Sequence, residues 1–323
     1  MASYSGECVT AVHHWSPKLF SFRTTRSPSL RFDNGQFLMI GLEIGGRRVV
    51  RAYSIASANY EDELEFYSII VPQGPFTSRL QCVQLGASML VSTKPTGTLV
   101  LRDLRPGRRL FLLATGTGVA PFAALIRDPE IYERFAQIVL VRGGRTRQDL
   151  GYGDDMLTRL RNDEYLGDMA QRQLLDYGAL TREPFVRVGR ITRLMAEGRV
   201  CAELGLPPLN AREDRVMICG NMRMLGDARA LLDARGFSVS PGIGSPGDYL
   251  FERAFVEAAG SSAVPGENRA GETPCAVTPS AAMAAGTGSP RASAAASCAH
   301  AAALCMPYPP WPAHQKSPGT PAS

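Results

Sequence analysis

The chain has 323 residues, 45% apolar and 20% charged, with a formal net charge of +5. That length fits about two domains with real cores, the charge is too mild to mark a nucleic-acid binder, and no segment approaches the roughly 18 apolar residues of a membrane helix. Seven cysteines, at 8, 82, 201, 219, 275, 298 and 305, are too scattered for a disulfide framework and lack the spacing of a zinc or iron–sulfur site, so no bound metal is expected. The opening MASYSGECVT carries no basic segment followed by an apolar run; export is not expected, and the cytoplasm is the expected compartment.

Residues 1–100 read as a β-domain of short strands, CVTAVHHW, LFSFRTT, QFLMIGLEI, RVVRAYSIAS, LEFYSIIV and SMLVSTKP, alternating apolar and polar positions with Asn-Gly and Gly-Gly turns between them. They predict a small antiparallel barrel or sandwich. Within it, Arg51-Ala52-Tyr53-Ser54 offers a guanidinium fork, a Tyr on the same strand face and an adjacent hydroxyl. Taken alone, this tetrapeptide reads as a surface Arg beside a core Tyr. Gly74-Pro75-Phe76-Thr77-Ser78 follows LEFYSIIV and opens a short predicted helix, SRLQCV, whose free amides and hydroxyls form a candidate anion site.

Residues 101–258 change pattern. The apolar strands RRLFLLATG, AQIVLVRGG and RVMICG alternate with the helical segments PFAALIRD, DDMLTRLRNDEYLGDM and MRMLGDARALLDARG, which predicts a parallel sheet with helices on its faces. ATGTGVAPF, residues 114–122, follows the first of these strands, and Pro121 suits the first turn of the next helix. Gly116, Thr117 and Gly118 therefore fall at the carboxyl end of a parallel strand, where ligands of such sheets bind. The loop lacks the Lys-Ser/Thr pair of a P-loop and the third Gly of the usual dinucleotide fingerprint, so a phosphate site and a plain tight turn both remain open. Residues 259–323, rich in Ala, Ser, Pro, Gly and Thr, predict a disordered tail.

In order, HHW (13–15), PSLRF and GQF (28–37), RAYSIAS, KPTGTL, TGTGVAPF, TREPF, GRIT, MICG and GDYLFERAFVE resemble the ferredoxin-NADP(+) reductase family, in its short bacterial branch of Azotobacter and Rhodobacter type. The match is collinear over nearly all of residues 1–257. It implies an FAD-binding antiparallel β-barrel followed by a parallel-sheet NADP-binding α/β domain, and a flavoenzyme that moves electrons between NADPH and ferredoxin or flavodoxin.

The resemblance also implies roles by residue. Arg51 would pair with the FAD pyrophosphate, with Ala52 beside it in the same segment. Tyr53 would pack on the isoalloxazine ring and Ser54 would hydrogen-bond near its N5. Tyr67, Ile70 and Val71 would line the flavin site, and Gly74, Pro75, Phe76, Thr77 and Ser78 would supply a second pyrophosphate contact. Thr117 would stand where flavin and nicotinamide meet. Thr181, Arg182 and Arg190 would hold the 2′-phosphate that distinguishes NADP from NAD, with Arg145 and Asp227 as further nucleotide-side residues. Ala254 and Phe255 would close the flavin site as a gate.

Two departures stand out: the chain continues past Ala258, where the family ends, and Arg142 stands where relatives usually carry His. A monomer is expected. The basic segments 46–51 and 102–109 suggest docking surface for an acidic carrier. Two alternatives accompany this reading. The same fold serves as a free-flavin reductase or an oxygenase reductase component, and a nucleotide-binding sensor could act through the tail.

Overall fold

Strand-forming alternation in the first third of the chain produces β1 (Tyr4–Ser16), β2 (Leu19–Thr25), β3 (Phe37–Ile44), β4 (Arg47–Ser54), β5 (Glu63–Ile69) and β6 (Ser88–Ser92). The computed structural model describes residues 3–254; Phe255 and the predicted tail, 259–323, lie outside them. The six strands form one antiparallel sheet in the order β4-β3-β6-β1-β2-β5. Its two ends meet, because Ile55 bridges Phe66 and the Ala56 amide donates to Glu65 O at 2.8 Å. Of barrel and sandwich, the barrel is what forms. Inward residues Val9, Phe20, Phe22, Leu38, Ile40, Leu64, Phe66 and Val91 fill it. The β3–β4 hairpin turns on Gly45 and Gly46, both at positive φ (56° and 71°), as a two-residue turn matching strand twist requires.

The rest of the chain builds a parallel sheet from β7 (Arg109–Thr115), β8 (Gln137–Gly144), β9 (Leu174–Leu180), β10 (Asp214–Gly220) and β11 (Tyr249–Arg253), in the order β11-β10-β7-β8-β9. The helices are α1 (Thr77–Leu80), beside the barrel, then α2 (Ala120–Leu125), α3 (Pro129–Arg134), α4 (Gly151–Arg161), α5 (Gly167–Gln173), α6 (Ile191–Ala196), α7 (Arg199–Glu203) and α8 (Met222–Ala234). Strand alternation decides which helices cover which face. Leu110 and Leu112 pack with Phe122, Ile131, Leu157 and Ala170 of α2 to α5. Phe111 and Leu113 pack with Leu194, Val200 and Leu225 of α6 to α8. The strand order reverses between β7 and β10, and a crevice opens outside the carboxyl ends of the strands at such a point.

Two features differ from the sequence expectation. The stretch 154–169 is two helices, because the Asp163 carboxylate accepts from the Tyr165 and Leu166 amides at 2.9 Å each and turns the chain between α4 and α5. Strands β9 and β11 are absent from the sequence reading, since Asp176 and Glu252 interrupt their apolar runs. The structure supplies partners for both carboxylates.

At the opposite end of the sheet, Arg109 on β7 grips Asp214 on β10 in a bidentate pair at 2.6 and 2.7 Å, and also donates to Pro207 O and Pro208 O. Both side chains are almost wholly buried, 3% and 0% exposed. Replacing Asp214 by Ala strands a buried guanidinium, and the expected loss is about 3–5 kcal/mol. Urea unfolding of Asp214→Ala against the parent measures it; a loss below about 1 kcal/mol would mean that the pair does not secure the two central strands.

Candidate functional site

At the reversal point, β7 runs out at Thr115 and the chain turns at Gly116, whose φ is +56°. The turn Gly116–Val119 leads into α2, with Pro121 in its first turn. A Cβ on Gly118 would overlap the carbonyl oxygen of Cys219 at the end of β10, and one on Gly220 would overlap the Thr115 hydroxyl. Two backbones therefore meet with nothing between them, which leaves the crevice above open. The Thr115 hydroxyl is buried without a hydrogen-bond partner among the described residues. Thr117 is half-buried on the same turn.

Cys219 is fully buried, and burial first, then the Glu252 carboxylate, pushes its thiol well above its ordinary range. That matches a packing role rather than a reactive thiol. Asn221 caps α8 by accepting the Met224 amide at 3.1 Å, and Asp227 lies exposed in the second turn of that helix. Ala254 continues past β11 and donates its amide to Gly220 O at 3.0 Å, beside the glycine turn. Phe255, expected next to it, lies outside the described residues.

The barrel offers the facing surface. None of the eight residues of β4 is fully buried, although Val49, Val50 and Tyr53 are apolar. Tyr53 packs on Phe22, Phe66 and Phe76, and its hydroxyl shares a 2.9 Å hydrogen bond with Ser68. Burial raises that phenol to about 12. Arg51 makes a side-chain bond to Val50 O at 2.7 Å, Ala52 is exposed, and half-buried Ser54 ends the strand.

Tyr67 on β5 points out of the barrel and stacks on Tyr152 of α4, with ring centroids 4.2 Å apart. Its hydroxyl is buried and has no partner among the described residues. Burial, then Asp149, pushes that phenol upward. Ile70 packs on the barrel core.

The turn after β5 is more self-contained than its sequence suggests. The Thr77 hydroxyl accepts the Val71 amide at 3.1 Å and donates to Val71 O at 3.2 Å, and a Cβ on Gly74 would press on Thr77 Oγ1 at 2.8 Å. Phe76 is buried in the barrel core and Pro75 is exposed. What remains toward solvent is half-buried Ser78, whose amide begins the helical bonding to Gly74 O at 3.2 Å, together with the turn's backbone.

A third cluster forms where the loops after β8 and β9 are laced together. The Thr181 amide and hydroxyl both donate to Gly144 O, at 3.1 and 3.2 Å, and the Arg182 amide donates to Arg145 O at 2.9 Å. Glu183 accepts the Arg147 amide at 2.8 Å, while Asp149 accepts the Arg145 and Thr146 amides at 2.7 and 3.1 Å. This lacing sets Arg145 beside Arg182, with Arg190 at the cap of α6. Among the described residues, Arg51, Arg145, Arg182 and Arg190 form no ion pair.

Arg142 behaves in the opposite way. It is buried and holds Asp176 at 2.8 and 2.7 Å, Asp154 at 2.7 Å and Leu150 O at 3.0 Å, and Gly153 has no Cβ to obstruct it. The residue that stands out in sequence is thus a brace for the 145–150 loop. Three of the four arginines of the basic segment 102–109 are also committed: Arg102 pairs with Asp33, Arg105 with Asp248 and Arg109 with Asp214, while Arg108 is exposed and forms no ion pair among the described residues. The segment leads into the amino end of β7, away from the crevice, and most of its charge is matched by carboxylates. Arg47 and Arg48, at the exposed tip of the β3–β4 hairpin, remain.

Comparison with known proteins agrees with this architecture. Residues 10–100 match the oxidoreductase FAD-binding domain family and residues 112–230 the oxidoreductase NAD-binding domain family. The chain is 53% identical over 257 residues to a ferredoxin-NADP reductase of Azotobacter vinelandii, covering 80% of this chain and 100% of that one. It is 45% identical over 251 residues to a flavodoxin/ferredoxin-NADP reductase of Rhodobacter capsulatus, covering 77% of this chain and 93% of that one. Among solved structures it is similar to a ferredoxin NADP+ reductase from Neisseria gonorrhoeae with bound FAD and NADP, at 29% identity and a TM-score of 0.71, covering 79% of this chain and all of the other.

Glu252, absent from the sequence reading, is a half-buried carboxylate on the edge strand β11. It accepts from the Thr98 amide and, at 3.0 Å, from the Thr98 hydroxyl. Burial raises its carboxyl above the ordinary range despite those bonds. The folded state therefore holds the proton more tightly than the unfolded chain does, whose carboxyl titrates near ~4.3. This contribution to stability is intact below that value and is lost as pH rises through the folded-state pKa. Glu252→Gln keeps an acceptor oxygen but cannot ionise. The parent should lose stability relative to Glu252→Gln as pH rises from 4 to 8 in denaturant unfolding, and a pH-independent difference would contradict the raised pKa.

Proposed function

The chain belongs to the ferredoxin-NADP reductase family, and from that premise we propose that its β4 face holds FAD, its glycine turn and laced loops hold NADPH, and a ferredoxin or flavodoxin receives or returns the electrons. It is an FAD-dependent oxidoreductase that moves electrons between NADPH and a one-electron carrier. The observation that carries the site proposal is the distribution of arginines. Arg51 beside the uncovered barrel strand, and Arg145, Arg182 and Arg190 at the far end of the crevice, with Arg147 beside them, are guanidiniums that form no ion pair among the described residues.

The residues present fit both groups. For FAD there is an uncovered apolar strand, an unneutralised guanidinium, and a buried Tyr67 hydroxyl lacking a partner. For NADPH there are glycines at the crossing of β7 and β10, and a cluster of forks suited to a phosphate monoester. When bound, FAD supplies the conversion between the two-electron chemistry of NADPH and the one-electron chemistry of the carrier.

The chain's own residues bind and orient. Arg51 faces the diphosphate, with Ala52 beside it, and the backbone of Gly74 to Ser78 offers the second contact, with Pro75, Phe76 and Thr77 shaping that turn rather than donating side-chain bonds. Tyr53 presents its ring, locked by Ser68, to the isoalloxazine system; Ser54 offers a hydroxyl at the reacting edge; Tyr67, Ile70 and Val71 close the sides. Thr117 and Ala254 flank the glycine turn where the two cofactors would meet and keep water from that contact. Thr181, Arg145, Arg182 and Arg190 select the 2′-phosphate, with Asp227 on α8 as a further nucleotide-side residue.

The same proposal divides the chain into an FAD-binding unit, 1–100, and an NADP-binding unit, 101–258. It places carrier docking at Arg47 and Arg48, in a monomer of the cytoplasm. Support for that compartment comes from Cys201 and Cys219, which form no disulfide among the described residues. No helix among the described residues is long and apolar enough to cross a membrane.

An anaerobic absorbance titration tests the reading. Bound flavin should bleach at far lower NADPH than NADH. In Arg182→Ala, the affinity for NADPH should fall by about ten- to a hundredfold, the cost of a charged hydrogen-bonding partner, while that for NADH stays unchanged. A protein that bleaches equally with both nucleotides, or an Arg182→Ala variant that weakens both alike, would remove the 2′-phosphate assignment.

A further inference from the structure

The barrel and the parallel sheet meet at a segment that neither site uses. Residues 56–61 follow directly on from β4, with Ser54 two residues before them. From the barrel, Arg26 donates to Asn59 O at 2.9 Å and Glu61 O at 2.6 Å, the Ser57 hydroxyl accepts the Glu65 amide at 3.0 Å, and Asn34 accepts the Asn59 amide at 2.8 Å. From the sheet side, Arg127, just beyond α2, donates to Glu61 Oε1 at 2.5 Å and to Ala56 O, and its Nε donates to Ala123 O at 2.9 Å. The Tyr60 hydroxyl returns a bond to Arg127 O at 3.2 Å, and Asn34 donates to Asp128 at 2.8 Å.

The arms on either side of this clasp are short and stiff. On one side, six residues separate Ser54 from Glu61. On the other, α2 starts immediately after the glycine turn, and all six of its residues are buried. Arg127 thus joins the far ends of the segments whose near ends carry Tyr53 and Ser54 in one half and Thr117 in the other. Its guanidinium is the only group of α2 and the 126–128 turn that reaches both a backbone carbonyl and a carboxylate of the 56–61 segment among the described residues.

We propose that Arg127 is a positioning residue for electron transfer from nicotinamide to flavin: by clasping residues 56–61 it fixes the separation between strand β4 and the glycine turn. The inference rests on the reading that FAD lies on β4 and NADPH at that turn. Arg127 is not among the residues proposed to hold either cofactor. Its removal should therefore leave both affinities intact and act on the rate alone, since a misplacement of about 1 Å between reacting groups can cost on the order of a hundredfold.

The test uses the flavin-loaded full chain. In Arg127→Ala, the flavin-to-protein ratio and the dissociation constant for 2′-phospho-AMP should stay within twofold of the parent. The stopped-flow rate of flavin reduction at saturating NADPH should fall at least tenfold, and amide hydrogen exchange across 56–61 should quicken. Arg127→Lys should recover part of the rate. Glu61→Gln, which removes one acceptor charge and keeps the side chain's shape, should give a smaller fall in the same direction and serves if Arg127→Ala does not fold.

A lowered melting temperature with an unchanged reduction rate in these variants would overturn the positioning role and leave a merely structural arginine. A fall in 2′-phospho-AMP affinity equal to the fall in rate would also overturn it. A parent protein that retains no flavin would instead remove the functional reading on which the inference stands.

Discussion

The structure depends on one close approach. At the point where the sheet reverses its strand order, the backbone of Gly118 lies against the carbonyl of Cys219 with no space for a side chain, and Gly220 makes the reciprocal concession to Thr115. Parallel strands β7 and β10 can end side by side only because these positions carry no Cβ. The crevice between them is the consequence. Helix α2, buried along its whole length, then has one direction in which to leave, and that direction carries it to the barrel. The glycines thus settle both where the crevice opens and how the sheet meets the barrel.

Arginine use follows the same polarity. At the amino end of the parallel sheet, Arg105, Arg109 and Arg215 are tied to Asp248, Asp214 and nearby carbonyls, and they close that edge. Removing charge from water is costly unless each fork is filled, and these forks are filled. At the carboxyl end, Arg145, Arg182 and Arg190 are exposed or edge-bound and carry no carboxylate among the described residues. Their loops are stiffened by backbone bonds and by Glu183 and Asp149, which spend their oxygens on amides rather than on guanidiniums. Acidic residues therefore order this cluster without neutralising it, and the cluster keeps its capacity for an anion.

Much of this was legible in the chain. Alternation and the Gly-Gly turn marked the barrel strands, the run of apolar strands marked the parallel sheet, and ATGTGVAPF marked the crossing. Beyond that, legibility failed wherever a polar residue was satisfied by a distant partner. Asp176 breaks the pattern of β9 because its carboxylate belongs to Arg142 on the neighbouring strand. Glu252 breaks β11 because it belongs to Thr98, 154 positions away in sequence. RDLRPGRR looked like free charge for the same reason, three of its four arginines having Asp33, Asp248 and Asp214 as partners. Thr77 looked like an open hydroxyl, yet it closes its own turn on Val71. Local composition shows which residues are charged, whereas burial and long-range pairing decide which charges are available.

Interdomain contact divides into two kinds that do different work. The aromatic group of Trp15, Tyr67 and Tyr152, with ring centroids at 5.4 and 4.2 Å, supplies apolar area and tolerates small slides of ring on ring. The contacts of Arg127, Asp128 and Asn34 are directional, and they lose most of their strength with a small change of angle. An apolar interface can hold two domains together without defining their separation to a fraction of an ångström; a set of converging hydrogen bonds on a stiff segment can. Hydride transfer is sensitive to the separation of the reacting groups, whereas selection at the 2′-phosphate, on the proposed assignment, would take place at the far end of the crevice. On the proposed assignment the fold would separate the two requirements: the laced loops would decide which nucleotide is held, and the clasped segment how closely its reactive end meets the barrel.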